Sequence, residues 1–502
     1  MRQMLFLFTS IFFIFTSAHA EPVPYVDENE IIHQRHSMLQ THTGYNQTEI
    51  HAVLPRLKKY RIKVQKIVNE VLVGDVTFLD PAIEAKDPQG LLLKKVNVFH
   101  IDNLEPNSEY HLELVEKGNE TETFSGDRRR FRTLDPNKSD IRYTAASCLC
   151  DEVRYNDTKL PIWTQKRLTN PDFMMLLGDA TYVDSFDVVN KTEITPLNIW
   201  QRYLDSFTDS PGTKMYRLKP VISTWDDHDA FNNSDKYTPI LKDALSMFNL
   251  LYGGRTLPGI IENGHDGTYK WFTYAGVDFA FLDARTFREK FDTPEVSHRY
   301  GHLGDIQEEW FFKKAGASKN LLVIAKGDMF GSETITATGA DGAIKRITES
   351  FYGDHPLNYK EFMYRLKTLP NPYVFITGDI HRASFIRHGP EQSGARNNPF
   401  VTSEWITSPL YSYRYNADDE NAPGWDDKDR YATKNIYNFG VFSISKSVSG
   451  FKIDVEIKGP GTKNKDGSKA DWTKPAPAVL TDSLVLKTAY PRTSCELFYL
   501  AK

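Results

Sequence analysis

Short apolar runs that break into polar side chains recur at Phe173 to Leu177, Val221 to Thr224, Val277 to Leu282, Leu321 to Ala325, Tyr373 to Thr377 and Phe400 to Glu404. Their length and their β-branched or aromatic content predict buried strands. Between them, apolar positions fall at helical spacing in Pro161 to Leu168, Leu197 to Ser206, Thr238 to Leu250, Ile306 to Ala315 and Asn358 to Leu366. Alternating strand and helix predict an α/β core that begins near Ile141. The chain then returns to period-two patterns at Val441 to Ser447, Gly450 to Ile457 and Leu480 to Ala489.

Upstream, Val71 to Thr133 alternates in short segments punctuated by Gly, Pro and Asn, which predicts a small β-sandwich of fibronectin type III character. The expected division is a leader at 1–20, an N-terminal extension at 21–67, a small β domain at 68–135 and a main domain at 136–502. The extension is polar with broken periodicity, and Thr48 to Lys66 is read as holding one helix.

Met1 to Ala20 carries one Arg, an apolar run dense in Phe, Leu and Ile, and Ala-His-Ala before Glu21. That is the order of a cleavable secretory signal. No later segment is long and apolar enough to span a bilayer, so the mature chain is expected in a periplasm or outside the cell. A net charge of −5, from 61 basic and 66 acidic side chains, gives no global attraction to bulk nucleic acid or anionic lipid. A locally positive pocket for a small anionic substrate stays open, and no pattern sets an oligomeric state. Of Cys148, Cys150 and Cys495, at least one must be free. A free thiol in an oxidising compartment points to a task such as metal ligation.

Chemistry gathers where the apolar runs end. Gly178-Asp179-Ala180-Thr181-Tyr182 places a carboxylate directly after a strand and a phenol three residues on, although Gly-Asp also ends many ordinary strands. Trp225-Asp226-Asp227-His228-Asp229, followed by Asn232 and Asn233, crowds three carboxylates around one imidazole. These repel unless a cation or arginine lies among them. Gly378-Asp379-Ile380-His381 can send two side chains to neighbouring metals, or the histidine can serve as a core hydrogen-bonding group. Cys148, taken alone, reads better as a small buried hydrophobe than as a ligand.

Taken in order, ASC, GDATY, TWDDHDAFNN, FLDARTFR, LGDIQEEWF and ITGDIH resemble the PhoD-like alkaline phosphatase/phosphodiesterase family of the calcineurin-like metallophosphoesterases, over nearly the whole chain. The resemblance implies a four-layer α/β/β/α sandwich preceded by the small β domain. It also implies a dinuclear centre, with Fe3+ on Cys148, Asp179, Tyr182 and His381. On the same resemblance Asp179 would bridge to a second ion on Asp227 and Asp379, with Asn233 or Asp226 nearby and Asn232 as a further residue facing substrate or supporting the site. That ion is Ca2+ on this reading, with Mg2+, Mn2+ or Zn2+ as other occupants of either position. His228 stands where relatives steady the phosphoryl group or protonate the leaving oxygen. Arg285 and Arg288 are expected to clamp phosphate, with a purely structural ion pair as the other reading of Arg288, while Asp283 is expected to fix Arg285 and Lys326 to add a phosphate-binding charge.

The implied activity is hydrolysis of a small phosphate ester, monoester or diester, by a metal-activated water. Tyr411 to Arg430 is a candidate wall of the substrate site. Cys150 is a second thiol that the family pattern does not require, free to compete as a ligand or to pair with Cys495. Two other readings are carried. A phospholipase-type enzyme would release phosphate-containing headgroups from vesicles. A noncatalytic envelope or glycan-binding protein would hold no metal and turn over no ester.

Overall fold

Period-two patterning builds the first part of the chain into two antiparallel sheets that share one core. The computed structural model describes residues 36–119, 123–184, 195–293, 296–331, 336–338, 344–346, 350–388, 402–412, 430–434, 436–448, 450–460 and 475–487. The expected leader, Cys495 and most of the Tyr411 to Arg430 run lie outside the described residues.

Ser37–Thr43, Thr48–Pro55, Lys94–Ile101 and Ile83–Ala85 form one four-stranded sheet, and Val71–Leu79, Tyr60–Val68, Glu109–Glu116 and Thr123–Arg132 form the other. Ile50, Leu54 and Phe99 from the first sheet meet Tyr60, Ile62, Leu112 and Phe131 from the second. The helix expected over Thr48 to Lys66 is therefore wrong: the segment is two strands, Thr48–Pro55 and Tyr60–Val68. The reason is burial on both sides. Ile50, Ala52 and Leu54 face the partner sheet, while Val53, with Leu39, Val96 and Val98, packs into the core beneath the helices of the main domain. A strand covered on both faces loses the alternation that marks strands in sequence. From Ser37 on, the segment expected as an extension is built into these sheets.

The main domain is a sandwich of two mixed sheets. The first runs Val221–Thr224, Phe173–Leu177, Ile141–Ala146, Phe439–Ser447, Gly450–Lys458, Leu480–Lys487. The second runs Ile261–Asn263, Lys270–Tyr274, Val277–Phe281, Leu321–Ala325, Tyr373–Thr377, Thr402–Ile406, Ala383–His388, Arg430–Lys434. Aromatic side chains fill the space between them. Tyr143 stacks on Phe173 and Phe442, at centroid distances of 5.0 and 5.1 Å, and meets the edge of Phe279 from the opposite sheet at 5.2 Å. Helices Asn156–Leu168, Pro196–Asp209 and Leu241–Tyr252 cover the outer face of the first sheet, burying Trp163, Phe207 and Phe248. Asp305–Ala317 and Pro356–Thr368 cover the second with Phe311, Phe312 and Phe362. The result is the α/β/β/α layering.

Parallel pairing decides where chemistry can collect. Ile141–Ala146, Phe173–Leu177 and Val221–Thr224 are mutually parallel, as are Val277–Phe281, Leu321–Ala325, Tyr373–Thr377 and Thr402–Ile406. Strands that run the same way deliver their carboxyl ends to one edge. No helix among the described residues is long and apolar enough to cross a membrane.

Candidate metal centre

Left-handed backbone aims the side chains at the strand ends. Cys148, Asp179, Asp379 and His381 have φ of 59°, 52°, 66° and 53°, a region that costs L-residues on the order of 1–3 kcal/mol and clusters at functional sites. Glycine makes room beside them. A Cβ on Gly178 would lie 2.3 Å from Asp226 Cβ, and one on Gly327 would lie 2.4 Å from Asp226 Cγ.

Three overlapping groups of ligating atoms result, each with all its atoms within 4.8 Å of one another: Cys148, Asp179 and His381; Asp179, Asp227 and His228; and Asp226, Asp227 and Asp379. Cys148 Sγ lies 3.5 Å from Asp179 Oδ2 and 3.1 Å from Ser408 Oγ. The Tyr182 hydroxyl donates to Asp179 Oδ2 at 3.1 Å, lies 3.1 Å from His381 Nε2, and accepts from Ser412 Oγ at 3.0 Å. The Tyr182 ring stacks on His228, centroids 4.4 Å apart. The His228 backbone N–H donates to Asp179 Oδ1 at 3.3 Å, and its Nδ1 faces Asp184 Oδ1 at 2.7 Å. The Asn233 backbone N–H donates to Asp227 Oδ2 at 2.7 Å. Asp227 Oδ1 and Asp226 Oδ2 are buried with no hydrogen-bond partner among the described residues.

Electrostatics makes this arrangement costly as it stands. Two ionised carboxylates 4.8 Å apart repel by roughly 3–4 kcal/mol at an effective dielectric of about 20. Burial, reinforced by the neighbouring carboxylates, lifts Asp179 and Asp379 well above the usual range, and burial lifts Asp226 to about 7 despite Arg285. Burial and Asp179 raise the Cys148 thiol and the Tyr182 phenol well above their ordinary values. Burial also lowers His381 to about 3, leaving a neutral imidazole. At His228 burial works the other way, yet Asp227, Asp184 and Asp179 outweigh it and hold the ring well above its ordinary value. Crowded, under-bonded carboxylates beside a thiol, a phenol and a neutral imidazole form a donor set that fits cations. The soft and phenolic donors suit iron or zinc, and the oxygen donors suit a harder divalent ion.

Among solved structures, PhoD superposes with a TM-score of 0.65 and 18% identity, covering 93% of this chain and 92% of that one. The chain has the fold of PhoD. The purple acid phosphatase PPD1 from seeds of yellow lupin (Lupinus luteus) superposes with a TM-score of 0.57 and 12% identity, covering 91% of this chain and 77% of that one. No family model and no curated protein matches the chain.

Within this PhoD-like fold, other expected site residues stand elsewhere. Arg285 is fully buried and its guanidinium binds Asp226, so it neutralises a site carboxylate. The Asp283 carboxylate accepts the backbone N–H of Arg285 at 2.9 Å and also takes bonds from Trp225, Thr268 and Thr286. Arg288 is bound by Asp354 and by Asp328, the latter at 3.1 Å. Lys326 is fully buried, with its ammonium on Asp328, His302 and the Met329 carbonyl. Arg288 and Lys326 are thus tied into a buried ion-pair network and do not offer a phosphate clamp. Asn232 donates its backbone N–H to Asp184 at 2.9 Å and its side-chain oxygen accepts from Asn233, both residues being exposed. Cys150 is buried and free, its thiol pushed up to about 12 by burial.

Two residues of the site, Asp184 and Ser408, were missed in the sequence, and Asp229, one of the three crowded carboxylates, was given no role of its own. Asp184 orients His228. Asp229 accepts the backbone N–H groups of Thr181 and Asp226 at 2.8 and 3.0 Å, tying two loops together. Ser408, after the strand Thr402–Ile406, touches Cys148 Sγ and accepts the His381 backbone N–H at 3.1 Å. Of the two missed residues, only Asp184 had a usable signal, an acid two residues past Tyr182 in the same turn.

Proposed function

We propose that the chain is a PhoD-like, metal-dependent phosphoesterase that hydrolyses phosphate monoesters or diesters at a dinuclear centre. The observation that carries this reading is the Asp179 carboxylate, which belongs both to the group with Cys148 and His381 and to the group with Asp227 and His228. One ion would be held by Cys148, Asp179, Tyr182 and His381, a donor set suited to Fe3+. The other would be held by Asp179, Asp227 and Asp379, suited to Ca2+, Mg2+, Mn2+ or Zn2+. When bound, such ions polarise a phosphate ester and acidify water.

The protein's own groups do the rest. Asp184 accepts a proton-bearing Nδ1 from His228, which fixes the tautomer and leaves Nε2 for the ligand. The His228 side chain is 24% exposed, so a phosphoryl oxygen or a leaving oxygen can reach it. The surrounding carboxylates favour its protonated form, which can donate a proton to the leaving group. Arg285 holds Asp226, and the Asn233 N–H fixes one oxygen of Asp227 so that the other faces the site.

The test is hydrolysis of bis-p-nitrophenyl phosphate against p-nitrophenyl phosphate, alongside metal analysis of the same purified sample. The reading expects bound metal, turnover of at least one ester, and loss of turnover on chelation. No metal together with no turnover of either ester would overturn it.

A further inference from the structure

A second convergence of ligating atoms shares no residue with the centre around Asp179. A carboxylate oxygen of Asp292 and ring nitrogens of His298 and His355 all lie within 4.8 Å of one another. Asp292 Oδ1 faces His298 Nδ1 at 2.9 Å and His355 Nδ1 at 3.2 Å, and it also accepts the His298 backbone N–H at 2.9 Å. Read as hydrogen bonds alone, three donors compete for one oxygen with two lone pairs, and both rings must carry their proton on Nδ1. The other oxygen of Asp292 accepts from Ser297 Oγ at 3.2 Å.

His355 is fully buried, and its Nε2 has no hydrogen-bond partner among the described residues. Gly301 closes over the group. A Cβ there would come within 2.4 Å of His355 Nδ1 and 2.8 Å of His298 Cβ, so the backbone can pack this close to the two rings only because residue 301 has no side chain.

We infer that Asp292, His298 and His355 bind a divalent ion of the zinc class. Two imidazoles and one carboxylate are a donor set that zinc takes with a further position left for water. Deprotonated Nδ1 atoms would point lone pairs at a cation, which removes the competition at Asp292 Oδ1. The ion would clasp the loop carrying Asp292 and His298 to the segment ending at His355. Those stretches already meet through the Asp292 N–H to Asp354 carbonyl bond of 2.8 Å and through Arg288 with Asp354.

The experiment uses the full chain stripped with a chelator, titrated with Zn2+ and counted by mass spectrometry of bound metal, for the wild type and for His298→Ala. The His298 side chain is 29% exposed, and matching unfolding curves without zinc will check that the variant folds. The inference expects one equivalent fewer in the variant. It also expects affinity for that equivalent to fall by more than the roughly 10–100-fold that loss of an outer partner costs, and a smaller zinc-induced rise in Tm. Because the comparison counts a difference of one ion, it does not depend on what the Asp179 centre binds. Equal zinc uptake and equal thermal shifts in the two proteins would overturn the inference.

Discussion

Asp379→Asn removes one charge from the Asp226, Asp227 and Asp379 group with almost no change in shape. Asparagine also tolerates the left-handed backbone found there, φ 66°. Asp226 is partly neutralised by Arg285, so the pair with Asp227 sets the scale. Their oxygens lie within 4.8 Å, so at an effective dielectric of about 20 the pair would repel by roughly 3 kcal/mol or more if both were ionised, and burial, together with that cost, holds the Asp379 carboxyl well above its ordinary range. In metal-free protein the substitution is therefore expected to stabilise by about 3 kcal/mol. Unfolding entropy of roughly 2 cal/mol/K per residue makes this a rise of about 3 °C in Tm for a chain of this size. In metal-loaded protein the sign reverses, because a ligand has been lost and the ion binds more weakly. Scanning calorimetry with chelator and with excess Ca2+ or Mn2+ reads both states. A carboxylate with a purely structural role would lower Tm by the same amount in both, and that result would refute the reasoning.

His228→Ala should keep its metal content and lower kcat by roughly 10²–10⁴-fold, while Asp184→Asn should lower kcat less and move the pH profile; loss of metal in either variant would assign them a different role. Gly327→Ala puts a Cβ 2.4 Å from Asp226 Cγ and should cost about 1–3 kcal/mol in chemical denaturation, with an unchanged midpoint counting against the packing described. Burial pushes Glu308 up to about 8, although the Asn358 amide donates to it at 2.6 Å. Its folded pKa lies above its unfolded one, so its contribution is complete below about pH 4.5 and is lost as pH rises through about 8. Glu308→Gln should flatten that decline when stability is measured at pH 5 and pH 8, and an unaltered slope would exclude Glu308 as its source.

The main domain was legible because its strands are short, apolar throughout and sharply ended, as Phe173–Leu177 and Tyr373–Thr377 are. Such runs announce themselves, and parallel pairing then makes the residue after each run a candidate. That is how Cys148, Asp179, Asp227, Asp379 and His381 stand out of the chain before any coordinates. What spacing does not carry is long-range pairing. Arg288 and Lys326 read as free cations until Asp328 and Asp354 are seen beside them. The group at Asp292 joins a histidine 63 residues away, and neither stretch carries a metal-ligand spacing of its own. Thr48–Pro55 hid because a second layer covers its outward face.

An anomalous-difference map from crystals of the native protein tests the central claim most directly. The account expects two peaks about 3.5–4 Å apart on either side of the Asp179 carboxylate, one beside Cys148 and His381 and the other beside Asp227 and Asp379. Ordered carboxylates at Asp179 with no peak next to them, in crystals grown with these metals present, would contradict it.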